Sequence, residues 1–317
     1  MPPENGRLFS SMLAMHFSYF VMFYKSPRLI NMMKQLISFV LPLVIGYPGL
    51  AQEKEASSLF WKISGNGAQP SYLLGTMHLM CPSDIVMSDQ MKQAFKSTEK
   101  LYLELDMDDP RMMVEAMAGM KMSGDESLDS LLGKEEFDSV SAVFQKLTGF
   151  PLTFMKKAQP MMLMSLVYPS LLNCPPQGWE TKLMAMAKEE NKEILGLEKV
   201  AEQLAVFNQI PYEVQARMFV STLMNIDSTK EEFQKMVATY KSKDLAALHK
   251  MATEDADFSK YEESMLVNRN RNWIPVIKNA VKENSVFIAV GAAHLPGQTG
   301  VIALLREQGF TVVPLHD

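Results

Sequence analysis

Two copies of Gly-x-x-His, Gly75-Thr76-Met77-His78 and Gly291-Ala292-Ala293-His294, stand near opposite ends of the chain, and each directly follows an apolar run. Ser71-Tyr72-Leu73-Leu74 precedes the first and Ser285-Val286-Phe287-Ile288-Ala289-Val290 the second. Both runs read as buried β-strands. Gly75 and Gly291 read as turn glycines, which let the chain bend sharply as it leaves the sheet. An imidazole at the C-terminal end of each of two strands lies where open α/β sheets bind ligands. A catalytic metal centre usually has three protein ligands and an open position for water. His78 and His294 supply two, and Glu104, on Leu101-Tyr102-Leu103-Glu104-Leu105, is the natural third. Glu198, at the end of Ile194-Leu195-Gly196-Leu197-Glu198, competes for that role, and Asp106 shares the face of Glu104 if its strand continues. Such a centre lowers the pKa of a bound water and polarises a carbonyl. A second carboxylate then takes the proton from that water. Arg269 is a candidate to stabilise the developing oxyanion, with Asn270 donating a hydrogen bond at the same place. His249, in Leu245-Ala246-Ala247-Leu248-His249-Lys250, and His316 read as inert surface residues.

The elements that must position these groups form two similar units. The first is a hairpin through Phe60–Ser64 and Tyr72–Leu74, the Gly-x-x-His turn, a helix capped by Ser88, and the strand Leu101–Leu105. The second is the strand ending at Val290, the turn to His294, a helix with Val301, Leu304 and Leu305 ended by Gly309, and the strand Phe310–Leu315. The expected fold is α/β, a central sheet built from two related halves and flanked by a large helical middle segment. In that segment Pro110 opens one helix, and Phe137, Val140, Phe144 and Leu147 make the stripe of another. Further helices begin near Met161, Trp179, Ala201 and Tyr212; Ser228-Thr229-Lys230-Glu231 reads as a capping box and Asp244 as a cap. The last one before the second unit carries Met265, Leu266, Arg269, Asn270 and Trp273. The 27 methionines read mostly as adaptable core filler.

Residues 32–51 have a basic start, a short apolar stretch from Leu36 to Ile45 and small residues before Ala51, the pattern of a secretory signal peptide. Residues 1–31 read as a leader from a start codon placed too far upstream, or as an extra apolar segment; His16 there is set aside. Neither apolar run reaches the roughly eighteen continuous residues of a spanning helix. Residues 52–317 then form a single domain. A net charge of −5 argues against a nucleic-acid partner. The two cysteines, Cys81 and Cys174, allow one disulfide in an oxidising compartment, and Cys81, three residues past His78, is also a candidate metal ligand. The chain has no HExxH, no Gly-x-Ser-x-Gly and no phosphate-cradling glycine loop.

Leu74-Gly75-Thr76-Met77-His78-Leu79, Tyr102-Leu103-Glu104-Leu105-Asp106, Gly196-Leu197-Glu198, Arg269-Asn270 with Trp273, and Val290-Gly291-Ala292-Ala293-His294-Leu295-Pro296-Gly297 with Gly300 together resemble the TraB/GumN family, across roughly Leu59 to Leu315. The resemblance implies a fold distantly similar to erythromycin esterases and ChaN-like haem-binding proteins. The family's animal Tiki members are metal-dependent peptidases that use the two motif histidines and acidic residues with manganese or cobalt; its bacterial PrgY and TraB members limit peptide pheromone activity. By that resemblance His78, His294 and Glu104 carry over as metal ligands, and Glu104, Glu198, Arg269 and Asn270 as catalytic residues. The expected cofactor is a divalent metal ion, manganese, cobalt or zinc. The expected function is a metal-dependent hydrolase, foremost a peptidase, acting on peptide or protein substrates after export to the periplasm. Unlike the animal members, the chain is expected to lack a C-terminal membrane anchor, and no stable membrane span is expected once the signal is cut. Two alternatives stand beside this: a non-catalytic peptide- or haem-binding protein, and a metal-independent esterase.

Overall fold

The structure is a computed structural model and describes residues 58–254 and 259–316. The expected leader (1–31), the expected signal peptide (32–51) and the first residues of the expected 52–317 domain lie outside the described residues. Alternating and continuous apolar runs form a six-stranded mixed sheet: β1 (Phe60–Ser64), β2 (Ser71–Thr76), β3 (Lys100–Leu105), β4 (Glu193–Glu198), β5 (Val286–Gly291) and β6 (Thr311–Leu315). Their spatial order is β4-β3-β5-β2-β1-β6. β4, β3, β5 and β2 run parallel, while β1 is antiparallel to both β2 and β6. Twelve α-helices accompany the sheet among the described residues, so the chain is α/β. The two Gly-x-x-His units interleave: β5 stands between β2 and β3, and β1 separates β2 from β6. Parallel neighbours need a crossover rather than a tight turn, and the helical middle segment supplies it.

β5 is buried along Val286–Val290, as expected for an apolar run covered on both faces. Phe287 stacks with Phe60 and meets Phe95 edge-on, tying the sheet to the helix Asp89–Ser97 that Ser88 caps. Met161, Met162 and Met164 are buried in the helix Pro160–Val167, in line with the core reading of the methionines. The helix Lys134–Thr148 buries Phe137, Val140 and Phe144 and ends at left-handed Gly149. Ser228 differs from expectation. It lies inside the helix Ile226–Lys241, which follows the helix Tyr212–Met224 after one residue, Asn225. The near-continuous run moves the start upstream of the capping-box pattern. Among the described residues no helix is long and apolar enough to cross a membrane.

Gly75 and Gly291 also depart from their expected role. Neither has positive φ, and both lie within strands. What they supply is space. A Cβ on Gly75 would lie 2.7 Å from Leu295 Cδ1 and 3.2 Å from Ala292 Cα, so the second histidine turn packs directly on the end of β2.

Cys81 and Cys174 form a disulfide. This removes Cys81 from the candidate metal ligands, since a bonded sulfur is no thiolate. The bridge closes a loop of 93 residues and joins the segment after His78 to the segment before the helix Trp179–Glu189. Met80 and Gln177 add a reciprocal pair of backbone hydrogen bonds beside it, at 2.8 and 2.9 Å. Replacing both cysteines by serine is expected to lower the unfolding free energy by about 2–4 kcal/mol. Urea denaturation of the oxidised protein against the double variant measures this, and equal midpoints would contradict it.

Candidate active site

Each of the four parallel strands delivers one part of a cluster at its C-terminal end. In spatial order they are Glu198 from β4, Glu104 from β3, Gly291 and the turn to His294 from β5, and His78 just past β2. Thr76 and Gly291 are in register across β2 and β5, so the two histidine motifs leave the sheet side by side. The Gly291 N–H donates to Glu104 Oε1 at 2.8 Å. A Cβ on Gly291 would lie 3.3 Å from Glu104 Oε1, 3.4 Å from His78 Nε2 and 3.6 Å from His294 Cδ2. The glycine thus leaves a small space that Glu104 and both imidazoles surround.

Arg269 and Asn270 are adjacent on one helix, yet both are buried. A π-helical turn, Glu263–Val267, leads into the helix Asn268–Glu283 that carries them. A guanidinium has five N–H donors and no acceptor, and all five are engaged. Nη2 donates to Glu104 Oε2 at 2.7 Å and to Glu198 Oε1 at 2.5 Å. Nε donates to the Glu198 carboxylate at 3.0–3.1 Å. Nη1 donates to Met265 O at 3.3 Å and to His294 Nε2 at 3.2 Å. Arg269 therefore neutralises two buried carboxylates and has no donor left for a developing oxyanion, the task expected of it from sequence. Asn270 serves His294: its Oδ1 lies 2.6 Å from Nδ1, and its Nδ2 donates to Thr299 O at 2.9 Å and to His294 O at 3.4 Å.

These contacts assign the tautomer of His294. Arginine can only donate, so Nε2 accepts and Nδ1 carries the proton toward Asn270. The ring is tilted against Trp273, centroids 4.5 Å apart. Burial and the Arg269 guanidinium push its pKa down to about 3. His78 is held the other way. Its Nδ1 lies 2.7 Å from Glu180 Oε1, and Nε2 faces Glu104 Oε1 at 3.7 Å. Burial works against the imidazolium, but Glu180 and then Glu104 outweigh it and raise the pKa above the ordinary 6.5. Burial likewise opposes ionisation of Glu104, yet Arg269, His78 and the Gly291 N–H hold its carboxyl well below the usual range. For Glu198 burial prevails over Arg269 and raises the pKa.

Glu180 and Gln203 join the cluster without having been legible in the sequence. Glu180 lies in the first turn of the helix Trp179–Glu189 and also accepts a 3.0 Å hydrogen bond from Thr76 Oγ1. Its sequence signal is that of any acid in a helix's first turn. Gln203 bridges the two acids, donating to Glu198 Oε1 at 2.9 Å and Glu104 Oε2 at 3.5 Å. Asp106 does not join, because β3 stops at Leu105 and the chain turns away. Its carboxyl is raised to about 6 by burial and by Asp108. His249 is half-buried rather than on an open surface, near Gly297 in the loop after His294.

As arranged, the cluster does not form the three-donor metal centre expected from His78, Glu104 and His294. His294 Nε2 is turned to the guanidinium, which takes the place of a cation between Glu104 and Glu198. Among the described residues no group of three or more His, Cys, Asp or Glu is placed to hold a metal ion.

The sequence pattern that defines the TraB/PrgY/gumN family matches residues 59–314. The chain belongs to the TraB/PrgY/gumN family. It is similar to two curated relatives, each named Metalloprotease TIKI2. The one from Danio rerio is 21% identical over 320 residues, covering 82% of this chain and 61% of that protein. The one from Xenopus tropicalis is 22% identical over 340 residues, covering 88% of this chain and 64% of that protein. This TraB/PrgY/gumN chain thus spans less than two thirds of either relative's length. No solved structure matches it.

Removing Arg269 leaves two buried carboxylates facing each other, so Arg269→Ala is expected to cost about 3–5 kcal/mol. Arg269→Lys should recover only part of this, because an ammonium cannot reproduce the fork. Chemical denaturation of the three proteins measures both. Unfolded His294 takes a proton below its ordinary 6.5, whereas the folded protein resists until about 3. The group therefore withdraws stability as pH falls through that window. Thermal unfolding of His294→Gln should show a flatter pH dependence between those values than the parent; an unchanged slope would refute the assignment.

Proposed function

We propose that the chain is a hydrolase of peptide or protein substrates, acting where the four parallel strands end. The observation that supports this most is the meeting of His78 Nε2 and Glu104 Oε1 at the space in front of Gly291. In this reading a water held there by Glu104 attacks the substrate carbonyl while His78 takes its proton through Nε2, and the imidazolium then returns that proton to the amine nitrogen as the C–N bond breaks. Glu180 holds the Nδ1–H and stabilises the imidazolium that results, as the acid of a catalytic triad does. Arg269 keeps Glu104 ionised and immobile, and His294 accepts from Arg269 and fixes its plane. The choice of peptides rests on the TIKI2 relatives, named as metalloproteases.

Those names also favour a second reading, the metal-activated water expected from sequence, with manganese, cobalt or zinc. His78 and Glu104 would then be ligands, and His294 would have to give up Arg269. The Cys81–Cys174 bridge supports export to an oxidising compartment, here the periplasm.

The test is cleavage of a mixed peptide library by the purified protein after exhaustive chelation, and again with each metal added. His78→Ala is expected to lower kcat by about 10²–10⁴-fold. Activity that survives chelation supports the reading through His78 alone; activity only with metal supports the second. A folded protein that cleaves nothing under any condition would point to peptide or haem binding without turnover.

A further inference from the structure

β4 is the outermost strand, paired with β3 on one side and, among the described residues, with no strand on the other. Beside it lies a cavity of about 850 Å³. The consecutive residues Leu195 to Lys199 all line it. Leu195–Glu198 is the C-terminal part of β4, so the cavity lies against the outer strand of the sheet and its C-terminal end. The edge of such a strand offers a row of backbone donors and acceptors. The facing wall is a stripe at four-residue spacing, Ser264, Asn268, Asn272 and Val276, which carries further hydroxyl and amide groups. Glu198 and Arg269 line the same cavity, so it borders the buried cluster on the side of those two residues.

The charges around this groove are unbalanced. Asp109 is paired with Arg111, and Glu198 with Arg269. Among the described lining residues this leaves three acids, Asp106, Glu115 and Glu202, against one further cation, Lys199; Arg111 also attracts Asp106 and Glu115, and among the described residues the buried Asp106 Oδ1 has no hydrogen-bond partner.

We infer that the groove binds an extended polypeptide strand along the outer edge of β4, with a lysine or arginine side chain of that strand taken up beside Asp106 and Glu115. The inference rests on the peptide-hydrolase reading and adds the substrate's conformation and charge. Edge addition gives affinity through main-chain hydrogen bonds, and the pocket beside it gives selectivity. The edge ends at Glu198, whose partner Arg269 also holds Glu104, so a strand laid on it ends beside the buried cluster.

The probe is a short fluorescent Val-Lys-Val peptide, with one version methylated at alternate backbone nitrogens and one carrying Glu for Lys. Anisotropy gives Kd on the whole protein and on His78→Ala, and cleavage is followed in parallel. Methylation in the edge-pairing register and the Lys-to-Glu exchange should each raise Kd by about tenfold. Glu115→Lys, an exposed helix position outside the cluster, should reverse the charge preference while leaving the circular dichroism spectrum unchanged; Asp106→Asn should weaken it. Kd values indifferent to methylation and to charge, or no binding of the lysine peptide at millimolar concentration, would overturn the inference. Binding that follows these rules without any cleavage would leave the groove standing and remove the hydrolase. Cleavage indifferent to methylation and to Glu115→Lys would do the reverse.

Discussion

The buried guanidinium of Arg269 is the interaction on which the site depends. Two carboxylates, Glu104 and Glu198, sit at the ends of neighbouring parallel strands with their side chains almost entirely covered. Either alone would be costly there, and both together more so. A planar fork with five donors answers both acids at once and still reaches a backbone carbonyl and His294 Nε2. The pair is not a source of great net stability, because desolvation consumes most of the Coulombic gain. What it secures is geometry: Glu104 cannot turn away from Gly291, and His294 cannot change tautomer without breaking a contact.

The two histidines share a motif but occupy opposite electrostatic settings. His294 faces a cation and stays neutral; His78 lies between Glu104 and Glu180, which raise its affinity for a proton. Groups whose environments drive their ionisation apart are suited to different tasks in one reaction. Around His78 the chain adds constraint in layers. Glu180 holds Nδ1, Thr76 holds Glu180, and Gly178 lies so close to the His78 carbonyl that a Cβ there would clash at 2.4 Å. Tyr240 donates to Gly75 O from the other side at 2.9 Å. The disulfide ties this whole corner together.

Much of this was legible from periodicity. The apolar runs before each Gly-x-x-His are strands, Ser88 and Asp244 are caps, and the Phe137, Val140, Phe144 stripe is buried. Signals that act within a few residues survive into the fold because the physics is local. The capping-box pattern at Ser228 failed because two helices run nearly end to end, and packing along their length overrides a local start signal. Gly75 and Gly291 were noticed for their flexibility but are required for their lack of a side chain, a demand set by Leu295 in one case and by the site itself in the other.

The sequence by itself determined the strands, the four groups His78, Glu104, Glu198 and His294 at their ends, and Arg269 beside Asn270 on one helix. It also determined the family, through motifs spread along the chain. Only the tertiary structure decided which of these groups meet and what each does. Strand order is a long-range property: placing β5 between β2 and β3 brought the two histidine motifs into register, and nothing local encodes that. The same holds for Glu180 and Gln203, ordinary helix residues in sequence, which acquire a role because their helices dock where buried acids and an imidazole need partners. Arg269 looked like a donor waiting for substrate; its five N–H groups were already claimed once β3, β4 and the second histidine turn closed around it.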